Sequence, residues 1–147
     1  MSLHNKLREY RQTQINAEKA AGIAYMLENR TEVGVMEGPG GMQYKVLKEG
    51  SGEKPTLHST VKAHYAGRLL NGTEFDSSYK RGTPFTARIT QLIKGWQEVL
   101  PMMSTGSKWV VWIPSDLAYG DNGASGGKIP GGATLEFEIE LLDIVRQ

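Results

Sequence analysis

A run near the C-terminal end constrains the fold most. Leu135, Phe137, Ile139 and Leu141 alternate with Glu136, Glu138 and Glu140. Successive side chains of a strand point to opposite faces. The segment is therefore read as a strand with one buried face and one acidic, wet face. Parallel sheets are covered on both sides and read as unbroken apolar runs, so this pattern asks for an antiparallel sheet.

Other segments carry the same period of two. Met42, Tyr44 and Val46 alternate with Gln43 and Lys45, and Gly50-Ser51-Gly52 breaks that strand. Val61, Ala63, Tyr65 and Leu69 form a second run, closed by Asn71-Gly72, a strong hairpin signal. Thr73 to Asp76 is the expected return strand. Phe85, Ala87 and Ile89 give another. Trp109, Val111 and Ile113 give a further one, with Val110 and Trp112 on its other face. One short helix fits between them, from about Ile93 to Met102, with Ile93, Trp96, Val99 and Leu100 on one face. Val99 and Leu100 are expected to pack on the sheet. The fold class is α+β: a twisted antiparallel sheet of five or six strands wrapped around one short helix.

A long helix is expected before the sheet, over residues 3 to 29. Leu3, Leu7, Tyr10, Gln14, Ala17, Ala21 and Ala24 recur at spacings of four and three, with Ala20, Ile23 and Leu27 widening the stripe. The stripe is thin, and Gly22 costs about 1 kcal/mol against Ala. Such a helix is marginal alone and suits packing against another helix. Gly34, Gly38, Pro39, Gly40 and Gly41 then mark a linker. The division expected is a helical stalk over residues 1–33 and a second domain over 34–147.

Much chemistry is missing. Lys plus Arg is 17 and Asp plus Glu is 16, so no basic stripe marks a nucleic-acid partner. Cysteine is absent, which removes thiolate nucleophiles and Cys-ligated metals. His4, His58 and His64 lack metal-ligand spacing. There is no Gly-x-Ser-x-Gly elbow. The Gly120 to Gly132 stretch lacks the ending of a phosphate loop. No apolar run reaches the roughly 18–20 residues of a membrane span, and no signal peptide is read at the start. No cofactor and no metal are expected. What is left is chemistry driven by pocket shape and polarity.

Several motifs occur in a familiar order. They are His64-Tyr65-Ala66-Gly67, Gly72-Thr73-Glu74-Phe75-Asp76-Ser77-Ser78, Pro84-Phe85, Ile93-Lys94-Gly95-Trp96, Met103-Ser104-Thr105-Gly106-Ser107-Lys108, Ile113-Pro114, Leu117-Ala118-Tyr119-Gly120, Ile129-Pro130 and Leu135 to Leu142. This ordered set, from Val61 to Leu142, resembles the FKBP-type peptidyl-prolyl cis-trans isomerases. The resemblance implies an enzyme that turns Xaa-Pro bonds and assists protein folding. It implies catalytic residues Tyr65, Phe75, Asp76, Trp96 and Tyr119, with Phe85, Leu92, Ile93, Ile129 and Phe137 binding substrate. In such a pocket Trp96 is the floor, the Tyr119 hydroxyl and the Ile93 N–H donate to carbonyls, and Asp76 accepts a hydrogen bond. The partners implied are proline-containing polypeptides and macrolide inhibitors. Four departures stand at the rim. Ala87 stands where some members carry a second Phe, Lys128 precedes Ile129 where an apolar residue is common, and Gly131 replaces the second Pro of Ile-Pro-Pro. The loop from Tyr119 to Ile129 is also about one residue longer than in the smallest members.

Residues 3 to 47 are similar to the macrophage infectivity potentiator-type bacterial subset, through the helix and Gly41-Met42-Gln43-Tyr44-Lys45-Val46. That resemblance implies a homodimer joined through an N-terminal segment, expected to be truncated here, and favours the periplasm or cell envelope over the cytoplasm. Plainer readings of the same residues stay open. Trp96, Phe75 and Phe137 would suit an ordinary core, Asp76 with two serines would suit a turn or cap, and Leu92, Phe85 and Ile129 would serve only as wall contacts. The rival function is a non-enzymatic chaperone or peptide-binding module.

Overall fold

The computed structural model describes residues 2–146. The first element is α1, Leu3–Asn29. The Ser2 side chain accepts from the Asn5 N–H at 3.2 Å, satisfying one of the amides left unpaired at a helix start. Then follow β1 (Val35–Glu37), β2 (Gln43–Lys48), β3 (Thr60–Leu69), β4 (Glu74–Ser77), α2 (Ser78–Arg81), β5 (Phe85–Arg88), α3 (Lys94–Val99), β6 (Lys108–Ile113) and β7 (Leu135–Val145). No helix of the described residues is long and apolar enough to cross a membrane.

Among the described residues the sheet has seven strands, antiparallel throughout, in the order β1-β2-β6-β7-β3-β4, with β5 also on β3. This is one more than the expected upper count. The extra strand is β1, which pairs Val35 with Lys45 and Glu37 with Gln43 inside the segment read as linker. A three-residue strand is too short to show a period, so nothing in its sequence announces it.

The central strand β7 behaves as its pattern requires. Leu135, Phe137, Ile139 and Leu141 are buried. On the wet face, Glu136 faces Arg68 at 3.3 Å, Glu138 faces Lys108 at 3.7 Å, and Glu140 accepts from the Tyr79 hydroxyl at 2.9 Å. Cross-strand pairs of opposite charge suit the row of carboxylates. The hairpin forms at Asn71-Gly72, where Gly72 takes φ +92° and Asn71 Oδ1 accepts from the Thr73 N–H.

Helix α3 crosses the inner face. Trp96, Val99 and Leu100 are buried with Val111, Ile113, Leu135 and Ile139. Gly95 allows the approach: a Cβ there would sit 2.6 Å from Ile113 Cγ2. The core lies in this layer, and the burial of its aliphatic and aromatic residues is the main favourable term holding the domain.

Helix α1 departs from the expected packing. The buried positions are Ile15, Gly22 and Asn29, with Glu18, Tyr25 and Met26 half-buried. These are also spaced by three and four. They lie about one residue, roughly 100° of helix, from the expected stripe. The stripe itself is on the outside: Leu3, Leu7 and Tyr10 are exposed, as are Ala17, Ala21 and Ala24. The buried face covers the outer side of the sheet at one end. There Asn29 Nδ2 donates to Gln43 Oε1, and Gln43 Nε2 donates to the Met26 carbonyl, both at 2.8 Å. Gln43 and Trp112, on the sheet's outer face, are buried. The Trp112 indole N–H donates to Glu136 at 3.0 Å, so its burial leaves no polar atom unpaired.

Candidate active site

Strand β3 brings in Tyr65 and strand β4 brings in Phe75 and Asp76. Between them the ladder opens, because β4 pairs with Ala66 to Arg68 and β5 with Thr60 to Ala63. Ser78 fills the gap. Its hydroxyl accepts from the Tyr65 N–H at 2.7 Å, donates to the Tyr65 carbonyl at 3.2 Å and meets His64 Nδ1 at 2.8 Å. A buried backbone group without a partner is costly, so Ser78 fixes Tyr65 where no strand can. Asp76 and its two serines are thus strand end and cap together: Ser77 caps α2 by accepting from the Lys80 N–H. Gly82, at φ +73°, ends that single turn.

The turn carries Arg81 back onto the site. Arg81 donates to Asp76 Oδ1, the Tyr65 hydroxyl donates to Asp76 Oδ2, and a second Arg81 nitrogen reaches the Tyr65 oxygen at 3.2 Å. The guanidinium also lies over the Tyr65 ring, 5.6 Å from its centroid. Burial works against the charge on Asp76, but the hydrogen bonds from Tyr65 and Arg81 and the Arg81 charge outweigh it and hold the carboxyl below its usual range. Burial and the Asp76 hydrogen bond push the Tyr65 phenol up, so Tyr65 stays protonated and Asp76 ionised at neutral pH. Sequence reasoning missed Arg81. The signal was the Ser77-Ser78 cap followed by Gly82, which places residue 81 one turn above residue 76.

Beside this polar wall lies an aromatic one. The Trp96 ring meets Tyr65, Phe85 and Phe137 at centroid distances of 5.3, 5.4 and 5.3 Å, all edge-to-face. Phe75 meets Phe137 at 5.7 Å and 90°. Edge-to-face rings align positive edges with negative faces. Gly67 permits the cluster, since a Cβ there would sit 2.5 Å from Phe75 and 2.8 Å from Phe137.

These residues enclose a cavity of about 180 Å³ lined by Tyr65, Phe75, Asp76, Phe85, Leu92, Ile93, Trp96, Tyr119 and Phe137. Trp96 is only 5 % exposed and closes the bottom. Leu92 and Ile93 come from the turn before α3, which the Gln97 amide pins by donating to the Leu92 carbonyl at 2.8 Å. The Ile93 carbonyl accepts from Trp96 and Gln97, while its own N–H has no protein partner among the described residues. Tyr119 stands at the rim, 38 % exposed. Burial and the Asp76 charge raise its phenol, so the hydroxyl remains a donor.

Ile129 is not among the lining residues. It is turned inward, 2 % exposed and packed in the core, and its N–H and carbonyl pair with Ala124. A β-branched apolar side chain beside a glycine-rich loop gains more by anchoring that loop in the core than by facing water. Ala87 lies on β5 outside the cavity lining, and Lys128 is exposed on the loop.

Comparison with known proteins matches residues 51–142 to the model of the FKBP-type peptidyl-prolyl cis-trans isomerases. Residues 1–46 match the domain amino-terminal to such isomerases. The chain is 41 % identical over 143 residues to the FKBP-type 22 kDa peptidyl-prolyl cis-trans isomerase of Escherichia coli, covering 97 % of this chain and 69 % of that protein. It is 45 % identical over 132 residues to the peptidyl-prolyl cis-trans isomerase Mip of Coxiella burnetii, covering 90 % and 56 %. The crystal structure of FkpA from Escherichia coli superposes with a TM-score of 0.88 at 38 % identity, covering 93 % of this chain and 63 % of that one. The chain thus spans from about half to about two thirds of the length of these three relatives.

Proposed function

Starting from the fact that this chain belongs to the FKBP-type peptidyl-prolyl cis-trans isomerases, we propose that it accelerates rotation about Xaa-Pro bonds in polypeptides inside the cavity over Trp96. The observation that carries this reading is the cavity's division into two walls. Trp96, Phe85 and Phe137 offer a dry seat for a proline ring. Tyr119 and the Ile93 N–H offer donors at its edge.

Rotation about a peptide bond costs about 18–20 kcal/mol because resonance is lost at the twist. The planar amide separates charge between O and N, and the twisted amide separates less. An apolar cavity therefore disfavours the planar state more than the twisted one, which is differential stabilisation of the transition state by desolvation. In this mechanism Tyr119 and the Ile93 N–H orient the flanking carbonyls. Asp76, held ionised by Arg81 and Tyr65, sets the polarity of the opposite wall. No proton is transferred. Pipecolinyl macrolides, which carry a six-membered analogue of proline, would occupy the same seat.

A protease-coupled assay on Xaa-Pro peptides, repeated with such a macrolide, tests the reading. Acceleration at micromolar enzyme, blocked by the macrolide, is expected; no acceleration would count against it. The exposed apolar side chains Leu3, Leu7 and Tyr10 of α1 further support a homodimer joined along that stripe. Sedimentation of the chain and of Leu7→Glu tests this: a monomer in both sinks it.

A further inference from the structure

The loop that presents Tyr119 holds only two single 3-10 turns and one isolated bridge between Ala124 and Ile129. Gly120, Gly123, Gly126 and Gly127 all sit at positive φ, and a glycine-rich segment loses the most conformational freedom on ordering. Ile129 anchors it from inside. From outside it is held by α1. Lys19 Nζ lies 2.7 Å from Asp121 Oδ1, two residues past Tyr119. Arg11 donates to Asn122 Oδ1 at 3.3 Å. Buried Ile15 lies against the loop's return, where a Cβ on Gly132 would sit 2.7 Å from the Ile15 carbonyl. Gly22 plays the same part on the helix, since its Cβ would sit 2.3 Å from Thr134 Oγ1. The Gly132 N–H then donates at 2.9 Å to the carbonyl of Gly120, the residue bonded to Tyr119. Two short physical paths thus join α1 to Tyr119, one through Asp121 and one through Gly132.

We infer that α1 is a positioning element of the cavity: its Ile15, Lys19 and Gly22 face holds the 119–132 loop so that the Tyr119 hydroxyl stands at the rim. The inference rests on the activity reading above. Ile15, Lys19 and Gly22 are positioning residues, since none of them lines the cavity. The same contact gives a reason for Gly131 in place of the family's second Pro. Even a Cβ there would sit 2.0 Å from the Asp121 carbonyl and 3.2 Å from Ile15 Cγ1. A pyrrolidine ring would open the loop or push the helix away.

The test uses the full chain. Gly22→Leu pushes α1 from Thr134 while keeping a good helix former. Lys19→Glu sets like charges against Asp121, and Ala17→Gln on the exposed face is the control. Amide hydrogen exchange over residues 119–132, and kcat and KM on an Xaa-Pro peptide, are measured in wild-type and Tyr119→Phe backgrounds. Both undocking variants are expected to speed exchange in the loop and to raise KM about twofold to thirtyfold, the range for coupling through a packed contact. The control is expected to do neither. The reciprocal pair Lys19→Glu with Asp121→Lys is expected to recover KM. In the Tyr119→Phe background the KM effect is expected to vanish, because the hydroxyl being positioned is gone. Unchanged loop exchange and KM in Gly22→Leu would overturn the inference. So would a KM rise that persists in full without the Tyr119 hydroxyl. A wild-type chain without isomerase activity would sink the activity reading instead, and the exchange data would still decide whether α1 holds the loop.

Discussion

Arg81 faces Asp76 across the one-turn helix that joins them, donating to one carboxylate oxygen while Tyr65 donates to the other. The pair is half exposed, with side chains 49 % and 40 % accessible. Its Coulomb energy is therefore screened by solvent, and the pair adds little to stability. Its larger effect is on charge and orientation at the cavity wall.

That relationship has a pH signature. The folded-state pKa of Asp76 lies below its ordinary value of 3.8. A depressed carboxylate contributes stability that is fully present above the unfolded value and is lost as pH falls through the folded one. Arg81→Met removes a hydrogen bond and a charge that lower this pKa while burial still raises it. The Asp76 titration should move up in pH towards its unfolded value, so stability near neutral pH should fall and the part of the acid-side loss that Asp76 contributes should shrink. Carbon-detected titration of Asp76 and urea unfolding between pH 3 and 6 check both. An unmoved titration would contradict the geometry.

Tyr119→Phe removes the hydroxyl of a half-exposed side chain that bonds no protein group among the described residues. Stability should stay within about 0.5 kcal/mol, as for surface changes away from special features. Activity on Xaa-Pro peptides should fall about 2- to 10-fold, the worth of one hydrogen bond. Thermal melts beside the isomerase assay separate the two effects.

Trp96 holds both floor and core. Trp96→Ala should cost about 3–5 kcal/mol, the range for a large aromatic truncated in a core. Trp96→Leu should recover much of that stability and little of the activity, because it refills apolar volume without restoring the flat floor. Urea midpoints and kcat/KM read the difference; equal recovery of both would argue against the seat assigned to the indole.

Gly67→Ala tests the close packing of the rings. The new methyl would overlap Phe75 and Phe137, and overpacking of this kind costs about 1–3 kcal/mol. Near-ultraviolet circular dichroism should report the displaced aromatics while the far-ultraviolet signal stays.

Much of the fold and the lineage was legible in the chain. The period of two over Leu135 to Leu141, the Asn71-Gly72 turn and the extent of α1 follow from local rules and appear in the structure. The ordered motifs identified the family that the comparisons then showed. Nine of the ten named site residues line one cavity, although their chemical roles rest on proposal. Arg81 was not legible as a site residue, because its importance depends on where one turn of helix points. Ile129 was read as a wall of the pocket, and it is buried in the core.

The contrast is sharpest in α1. Sequence alone determined that residues 3–29 are helical, because caps and residue type act within one turn. It could not determine which face is buried. Two stripes about one residue apart both recur at three and four, and the more apolar one, with Leu3, Leu7 and Tyr10, is on the outside. Tertiary structure decided in favour of Ile15, Gly22 and Asn29. Those positions are small, polar or singly apolar, and they fit because Gly131, Gly132, Thr134 and Gln43 offer a matching surface. Periodicity reports that a face exists, whereas close approach requires two backbones to be in place, and only the folded chain supplies the second.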